Sequence, residues 1–355
     1  MKKFGILAWP AFQNKVSNPY NFLLYSNMEE HGYHVLEFEF NIKNIVTFIF
    51  SNNYRIFHIH WPTTILTYSS DFQIFLKLLL LKFFLKTIKL LNKKIVWTVH
   101  NLKDHESQQP LFEKKLYKIL YQYVDGFISL NQSGLEHINA LATNKIHQRF
   151  KYIPHLHYKN YYPNDIKTVE ARKRLEIPND KFIFLFLGQI RSYKNLNGLI
   201  NSFLELKNDR KFLLIAGSLH QEISDQIRAK LKTSKMVLLF DEFVKDEELQ
   251  IYFNASDLVV TPYKRIFNSG SVFLNLSFNK PTLAPAIGIF NELKLEFGEN
   301  FIKLYKSDIS ADILKDAMEE VIFNNNVSIN IEPELNLYDP KTIAQETLSF
   351  YKKLL

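Results

Sequence analysis

Short apolar runs rich in β-branched and aromatic residues alternate with helical segments along most of this chain. The first half contains FGILAW, YHVLEFEF, YRIFHIH, KKIVWTV and DGFISL, and the second half contains KFIFLFL, KFLLIA, MVLLF and DLVVTPY. A strand, a helix and a further strand form a right-handed crossover that joins parallel neighbours in one sheet. The alternation restarts after a segment with three prolines, so it predicts an α/β fold with two parallel-sheet domains, of which the first is doubly wound.

The length of 355 residues supports the same division, because two domains of roughly 150 residues each fit it better than one core does. We predict an N-terminal domain over 1–163, a second domain over 164–338 and a closing helix over 339–355. Asp339 suits the N-cap of that helix and Pro340 its first position. We expect this helix to close back toward the first domain.

Charge and cysteine content narrow the function classes. The formal net charge of +8 favours anionic partners such as nucleotides, phosphates or an anionic membrane surface. Nucleic acid is disfavoured, because no recognised nucleic-acid-reading motif accompanies the charge. The chain has no cysteine, which removes disulfides, thiolate nucleophiles and cysteine metal ligands and fits a reducing cytoplasm.

The segment Phe72–Lys94 is strongly apolar but interrupted by lysines. No uninterrupted run of about 20 apolar residues exists, so it does not predict a transmembrane span. On a helix, Lys82, Lys86, Lys89 and Lys93 fall within a sector of about 60°. Two interpretations follow: a core helix with one solvated lysine face, or an in-plane helix that contacts lipid and makes the protein peripheral to the inner face of the cell membrane.

Histidines and polar residues follow two strands of the first half. His60 and Trp61 end one strand, and His100 and Asn101 end the next, where open parallel sheets bind ligands. We expect His58 and His60 to point to opposite faces of their strand, with His58 packed inside the domain. No H-E-x-x-H or comparable spacing is present, so no metal site is predicted.

Two loops of the second half are typical of phosphate sites. In FLGQIRSYKNLNGLI, Gly188 marks a turn, and Arg191 and Lys194 precede a helix N-terminus. Cations beside a helix N-terminus favour a diphosphate. The turn NSGS directs the Ser269 hydroxyl and the amides of Gly270 and Ser271 toward a second such position.

These motifs also carry a resemblance. Gly188, Arg191 and Lys194 with the following LI.SF pattern resemble the G-R-x-x-x-K-G…L-I-x-A-F block of GT-B glycosyltransferases of the family 4, or group 1, type. HIHWP, WTVHNL, VDGFISLNQSG, LLIAGS and EELQIYFNASDLVVTPY agree in order, so the resemblance spans nearly the whole chain. It implies two Rossmann-like domains facing across a cleft, with a nucleotide-sugar donor on the second domain and an acceptor on the first.

The resemblance has one departure. The family has two glutamates in an E-x7-E pattern, and the positions that correspond to them in this chain are Ile266 and Leu274, neither of which is acidic. Some exopolysaccharide-assembly enzymes of the GT-B fold also lack this pair, so the chain resembles that divergent branch.

The resemblance assigns roles to individual residues. It implies that His100 contacts the donor sugar. For an inverting enzyme, Asp104, His105 and Glu106 are rival acceptor bases, whereas a retaining enzyme needs no base there. Glu292 is placed to reach donor hydroxyls, although a solvated helix start explains it equally well. His60, Trp61 and Asn101 are expected to bind the acceptor.

We therefore expect a metal-independent glycosyltransferase without a cofactor. Its donor would be a UDP- or GDP-sugar and its acceptor a polyprenyl-linked glycan of bacterial surface polysaccharide synthesis. Two alternatives remain: a non-catalytic GT-B scaffold subunit, motivated by the missing glutamates, and a sugar-nucleotide epimerase.

Overall fold

A computed structural model of the chain describes residues 3–16, 18–67, 69–101, 109–141, 148–219, 225, 228–229, 231, 234–324 and 331–355. The chain forms two compact units: unit 1 contains Met1–Leu156 and Leu337–Leu355, and unit 2 contains His157–Asn336. Each unit is an α/β structure with one parallel six-stranded sheet. This confirms the predicted fold class.

The sheet of unit 1 has the strand order β2-β1-β3-β4-β5-β6. The strands are β1 (Gly5–Trp9), β2 (Val35–Glu37), β3 (Tyr54–Ile59), β4 (Lys94–Val99), β5 (Gly126–Ser129) and β6 (Arg149–Tyr152). The helices are α1 (Tyr20–Glu30), α2 (Ile42–Phe50), α3 (Asp71–Leu90), α4 (Pro110–Tyr123), α5 (Gln132–Leu141) and the C-terminal helix (Pro340–Leu354). All neighbouring strands pair in parallel.

The C-terminal helix belongs to unit 1, as its sequence predicts. Its N-cap is Asp339, whose carboxylate accepts a hydrogen bond from the Lys341 amide at 2.8 Å. Gly126 of β5 admits the far end of this helix, because a Cβ there would lie 2.8 Å from the Phe350 ring and 2.7 Å from Leu354. The last helix of the chain therefore packs directly against β5 of the unit 1 sheet.

Unit 2 has the strand order β12-β11-β10-β7-β8-β9, again parallel throughout. The strands are β7 (Phe182–Leu187), β8 (Lys211–Ala216), β9 (Val237–Phe240), β10 (Leu258–Val260), β11 (Thr282–Pro285) and β12 (Ile302–Tyr305). The helices are α6 (Thr168–Arg174), α7 (Leu196–Glu205), α8 (Leu249–Ala255), α9 (Gly270–Ser277), α10 (Ile289–Phe297), α11 (Ala311–Asn324) and α12 (Glu332–Leu335).

Alternation along β7 divides the core of unit 2 into two layers. Phe184 packs with α7 and α11, whereas Ile183 and Leu185 pack with α8 on the other face of the sheet. A strand covered on both faces reads as a continuous apolar run, which is why FIFLFL predicts a buried parallel strand. The buried strands hold their polar carboxyl-terminal loops in fixed positions.

Helix α3 begins with a capping box, and two lysines at and just beyond its end contact protein groups instead of solvent alone. Ser70 and Gln73 form a capping box at its start. Near its end, Lys89 forms an ion pair with Asp125, and the Lys93 ammonium donates to the Ser51 carbonyl at 2.8 Å. Among the described residues, no helix combines the length and the apolar character that crossing a membrane requires.

Candidate functional site

Unit 1 gathers buried histidines where β3 and β4 end. The expectation that His58 and His60 point to opposite faces is wrong, because residues two apart along a strand share a face. Their ring centroids lie 4.2 Å apart. The Tyr25 hydroxyl is hydrogen-bonded to Nδ1 of His58 at 2.7 Å and to Nε2 of His60 at 2.6 Å. His58 is fully buried, as predicted, and also contacts the hydroxyls of Thr98 and Tyr351 at 2.8 and 2.5 Å.

His100 is joined to this histidine group through its own ring. Its Nε2 lies 3.0 Å from Nδ1 of His60. One face of His100 stacks on Trp61 with ring centroids 4.2 Å apart, and the edge of Tyr20 meets it at 5.2 Å. Two ring nitrogens at hydrogen-bond distance need one proton between them, so His60 and His100 constrain each other's tautomers.

Burial keeps these imidazoles neutral near pH 7. It lowers the pKa of His58 to about 3 and that of His155 to about 4. Burial also lowers the pKa values of His60 and His100 well below the ordinary range, and neighbouring imidazoles add to the effect. A neutral imidazole offers one donor and one acceptor, so the group can orient a hydroxyl without adding charge.

A cavity of about 300 Å³ opens beside His100 in unit 1. Its described lining comprises His60, Trp61, Pro62, Thr63, Thr64, Thr67, Trp97, His100, Asn101 and Tyr117. None of these is an acid, a lysine or an arginine. Trp97 is buried, and its indole Nε1 has no hydrogen-bond acceptor among the described residues. Aromatic walls with hydroxyl, amide and indole groups are suited to a neutral polyhydroxyl ligand.

The structure therefore brings four sequence-predicted residues, His60, Trp61, His100 and Asn101, to one cavity. The three rival acceptor bases, Asp104, His105 and Glu106, lie outside the described residues. Within the described part of the chain, no group of three or more histidine, aspartate or glutamate side chains could hold a metal ion.

In unit 2, two glycines make the loops after β7 and β8 approach each other. Gly188 has φ +110° and its amide donates to the Ala216 carbonyl at 2.9 Å. Gly217 has φ +141°, and a Cβ there would lie 2.2 Å from the Gly188 carbonyl oxygen. Any larger residue at 217 would push these loops apart.

Lys194 is a buried cation at the end of the first of these loops. It closes a 3-10 turn, Ser192–Lys194, before the left-handed Asn195 that starts α7. Its Nζ lies 5.6 Å from the centroid of the Tyr263 ring, and no carboxylate of the described residues forms an ion pair with it. Burial lowers its pKa; the neighbouring Tyr193 opposes this shift and Arg191 adds to it. A buried ammonium in these surroundings favours an anionic ligand.

Tyr263 connects Lys194 to the other predicted phosphate loop. Its hydroxyl donates to Oγ of Ser271 at 3.4 Å. Ser269 caps α9, with Oγ accepting from the Val272 amide at 3.4 Å, and is buried. Gly270 and Ser271 form the first turn of that helix. The two loops that sequence patterns indicated separately are thus bridged by one tyrosine.

Glu292 lies in the first turn of α10. Gly288, which precedes this helix with φ +53°, approaches the loop after β10 so closely that a Cβ would lie 2.4 Å from the Ile266 carbonyl oxygen. Ile266 is one of the positions at which the resembled family has a glutamate. The start of α10 is therefore adjacent to the loop that carries Ser269.

The strand order explains why these loops meet. The chain winds from β7 through β8 to β9 in one direction and from β10 through β11 to β12 in the other. Where the winding reverses, the helices leave on opposite faces and the carboxyl ends open a crevice that binds ligands in α/β proteins. Lys194 and Tyr263 lie on the loops that follow β7 and β10, the two strands at the reversal, and Ser271 lies in the first turn of the helix after β10.

Sequence patterns missed several residues of both sites. Tyr25 and Trp97 lie inside apolar segments and read as core residues, and no spacing pairs them with a distant loop. Tyr263 is the last residue of the run DLVVTPY. Its position just beyond a predicted strand was the only sequence signal that it could lie at a ligand site.

Known proteins resemble this chain in part of its sequence and in its fold. Residues 168–328 match the family model "Glycosyl transferases group 1". A GDP-mannose:glycolipid 4-beta-D-mannosyltransferase of Xanthomonas campestris is 26% identical over 275 residues, which cover 76% of this chain and 72% of that protein.

Two solved structures share the fold at 14% identity. Sucrose-phosphate synthase of Thermosynechococcus elongatus superposes with a TM-score of 0.70 over 99% of both chains. Anabaena HepE in complex with UDP and glucose superposes with a TM-score of 0.71 over 99% of this chain and 100% of that one.

Proposed function

We propose that this chain is a group 1 glycosyltransferase that transfers a sugar from a UDP- or GDP-sugar to a lipid-linked glycan of surface polysaccharide synthesis. The family match over residues 168–328 and the GT-B fold support this proposal. The glycolipid acceptor and the GDP-mannose donor in the name of the Xanthomonas relative support this choice of substrates. A lipid-linked acceptor would bring the reaction to the cytoplasmic face of a membrane.

The observation that carries the donor assignment is the buried Lys194. Its ammonium, the Arg191 side chain and the N-terminal turn of α9 supply positive charge and N–H donors at the reversal point of the sheet. A leaving nucleoside diphosphate gains negative charge as the glycosidic bond breaks, so cations fixed there stabilise the transition state more than the ground state. Glu292 is proposed to contact donor hydroxyls, and the Ser269 hydroxyl is proposed to contact the diphosphate together with the amides of Gly270 and Ser271.

In the proposed reaction the bond between the sugar C1 and the diphosphate oxygen breaks, and a bond between C1 and an acceptor hydroxyl oxygen forms. The bonding electrons leave with the nucleoside diphosphate. The acceptor proton passes to a protein base in an inverting reaction and to an oxygen of the departing diphosphate in a retaining one. Asp104, His105 and Glu106 are the rival bases of an inverting reaction, and a retaining reaction would need none of them. NMR of the product anomer separates the two.

We further propose that Arg191 and Lys194 neutralise the diphosphate without a metal ion. Fixed side-chain cations can play the electrostatic role that a divalent ion plays at other diphosphate sites. Turnover should then be unchanged by EDTA. A rate that falls on chelation and returns with Mg²⁺ would contradict this point.

The cavity of unit 1 is proposed to hold the acceptor sugar. Trp61 stacked on His100 offers an aromatic wall, and Asn101 and the Trp97 indole offer polar contacts at its edge. An acceptor oxygen that takes a hydrogen bond from Trp97 Nε1 would satisfy a donor for which the described part of the chain supplies no partner. His100 is proposed to orient a sugar hydroxyl as a neutral imidazole.

Thermal shift with UDP, GDP and a panel of their sugars tests the donor assignment. A bound donor should raise the melting temperature with its concentration, and the Lys194→Ala variant should lose the shift. GDP-mannose is the first donor to try. If neither nucleotide nor any sugar derivative raises the melting temperature, the scaffold alternative is favoured.

Product analysis separates the enzyme classes. The best donor, incubated with a short polyprenyl-diphosphate-linked sugar, should give a lipid product longer by one sugar. Release of an altered nucleotide sugar without acceptor would instead identify an epimerase.

A further inference from the structure

One face of α3 exposes a continuous series of large apolar side chains. They are Phe72, Phe75, Leu76, Leu79, Leu80, Phe83 and Leu90, and we call them the outer face of α3. Phe72 and Phe83 are each 70% exposed and Leu80 is 63% exposed. Single exposed leucines are ordinary in soluble proteins, but a series along a 20-residue helix is a patch that marks an interaction surface.

Lysines flank the outer face on one side. At about 100° per residue, Lys82 and Lys86 lie within about 40° of Phe75, on the edge of the exposed sector away from Leu80. After Asp71 the helix contains no acidic residue. The opposite face is buried through Ile74, Leu78, Leu81, Phe84, Leu85 and Ile88. The helix therefore has three sectors: core, exposed apolar and cationic.

The neighbouring helix α2 presents a second apolar row. Ile42, Val46 and Phe50 recur at four-residue spacing and are exposed, Ile42 by 82% and Phe50 by 77%. The core side of α2 packs on α3 through the rings of Phe48 and Phe84, whose centroids are 6.3 Å apart. The α2 helix has no acidic residue and carries the exposed Lys43.

We propose that the outer face of α3, with the exposed row of α2, docks on the surface of a bilayer containing anionic lipid. Phenyl and leucyl side chains enter the boundary between headgroups and acyl chains, and the flanking lysines contact anionic headgroups. A helix of 20 residues is roughly 30 Å long, which suits it to lie along the bilayer plane. The combination of exposed phenylalanines with lysines and no acid matches a lipid surface better than a protein face, which would offer paired polar groups.

This inference extends the proposed function, since a lipid-linked acceptor lies in a membrane, but it rests on exposed side chains and not on the reaction. Vesicle binding and donor binding are separate measurements. A protein that binds donor but no vesicle would leave the glycosyltransferase assignment standing and remove the docking surface. A protein that binds vesicles but no donor would do the reverse.

Flotation with vesicles of phosphatidylcholine, with and without phosphatidylglycerol, tests the proposal. The wild type should float with the anionic vesicles, and added salt should weaken its binding. Replacement of Phe72, Leu79 and Phe83 by serine should weaken binding at least about tenfold, because three apolar groups no longer enter the interface. Lys82→Glu with Lys86→Glu should weaken binding to anionic vesicles selectively.

Matched controls lie in unit 2. Leu295 and Phe323 are 90% and 81% exposed, and their replacement by serine should leave vesicle binding unchanged. Lys207→Glu with Lys245→Glu changes the net charge as much as the Lys82 and Lys86 pair does and should have a smaller effect. All these side chains are exposed, so melting temperatures close to the wild type verify that folding is intact.

Two results would overturn the proposal. One is a wild type that floats with neither kind of vesicle. The other is a dimer in sedimentation velocity that the Phe72, Leu79 and Phe83 substitutions abolish, because a second copy would then be the partner of this face.

Discussion

The loops at the carboxyl ends of the two sheets differ in charge: those of unit 1 are neutral and those of unit 2 are positively charged. In unit 1, the residues around the cavity are neutral imidazoles, aromatic rings, hydroxyls and an amide. In unit 2, the corresponding loops hold a buried ammonium, a nearby guanidinium and the N-terminus of α9. Both units have the same parallel architecture, so the difference lies in the side chains that follow the strands.

This contrast teaches how one fold separates two kinds of recognition. Burial lowers the pKa of His58 to about 3 and leaves the imidazoles of unit 1 uncharged at neutral pH, which suits a carbohydrate. Burial also lowers the pKa of Lys194, but an anionic ligand restores the stability of its charged form.

The largest expected effect comes from removing the buried cation. Lys194→Ala should lower kcat/KM for the donor by about a hundredfold, since a fixed charge on the leaving group acts mainly in the transition state. Initial rates at varied donor concentration measure this. Lys264→Ala removes an exposed cation of the same unit and should change kcat/KM little. If kcat/KM fell equally in the two variants, Lys194 would act only through the overall positive charge of the unit and not through its position.

His100→Ala tests the neutral site. It should lower kcat by about thirtyfold and leave the donor Kd within about twofold, because the lost contact orients a sugar during transfer. Steady-state kinetics and calorimetric titration with the donor separate the two quantities. A higher donor Kd with an unchanged kcat would instead make His100 a donor-binding residue.

Trp97→Phe sharpens the acceptor assignment. It removes the Nε1 donor but retains an aromatic ring, so the KM for the acceptor should rise by about tenfold while the donor Kd stays constant. Phe127→Leu is the control, because Phe127 packs on Trp97 at 5.9 Å and its replacement disturbs the same packing without removing an N–H group. An equal rise of the acceptor KM in both variants would attribute the effect to packing.

The last prediction concerns the pH dependence of stability. The pKa of His58 is about 3 in the folded state against about 6.5 in the unfolded chain, so the unfolded state binds more protons between these values. The contribution of His58 to the free energy of unfolding should therefore be complete above pH 6.5. It should decrease between pH 6.5 and about 3, by about 1.4 kcal/mol per pH unit for this one histidine.

Urea denaturation at several pH values measures that slope. In His58→Asn the slope between pH 6 and 5 should be shallower by roughly 1 kcal/mol per pH unit. His137→Asn, at an exposed position of α5, should keep the slope of the wild type. Identical slopes in all three proteins would mean that His58 does not control the pH dependence.

Most strands of the two sheets could be predicted from sequence, and several peripheral elements could not. Runs such as FIFLFL and KIVWTV correspond to β7 and β4 because a strand covered on both faces needs no polar alternation. By contrast, α2 has an apolar row that no described segment covers, and nothing in NIKNIVTFIF separates an exposed apolar helix from a strand. Elements whose apolar face lacks a partner give the weakest signal.

The sites divide in the same way. The glycines and cations of the loop after β7 were identifiable because phosphate recognition uses few residue types at short spacing. The histidine group was only half identifiable: His60 and His100 stood at strand ends, but Tyr25 and Tyr351 come from helices far away in sequence. Hydrogen bonds between residues so far apart leave no local pattern.

By itself the sequence determined the parallel architecture of both units, the capped C-terminal helix and the loop that carries Lys194, because each depends on neighbouring residues. Only the tertiary structure decided which side chains are buried together, which histidines remain neutral and which apolar residues of α3 stay exposed. Burial and contact depend on how distant segments pack, and packing sets the solvation that determines the pKa of a histidine or the exposure of a phenylalanine.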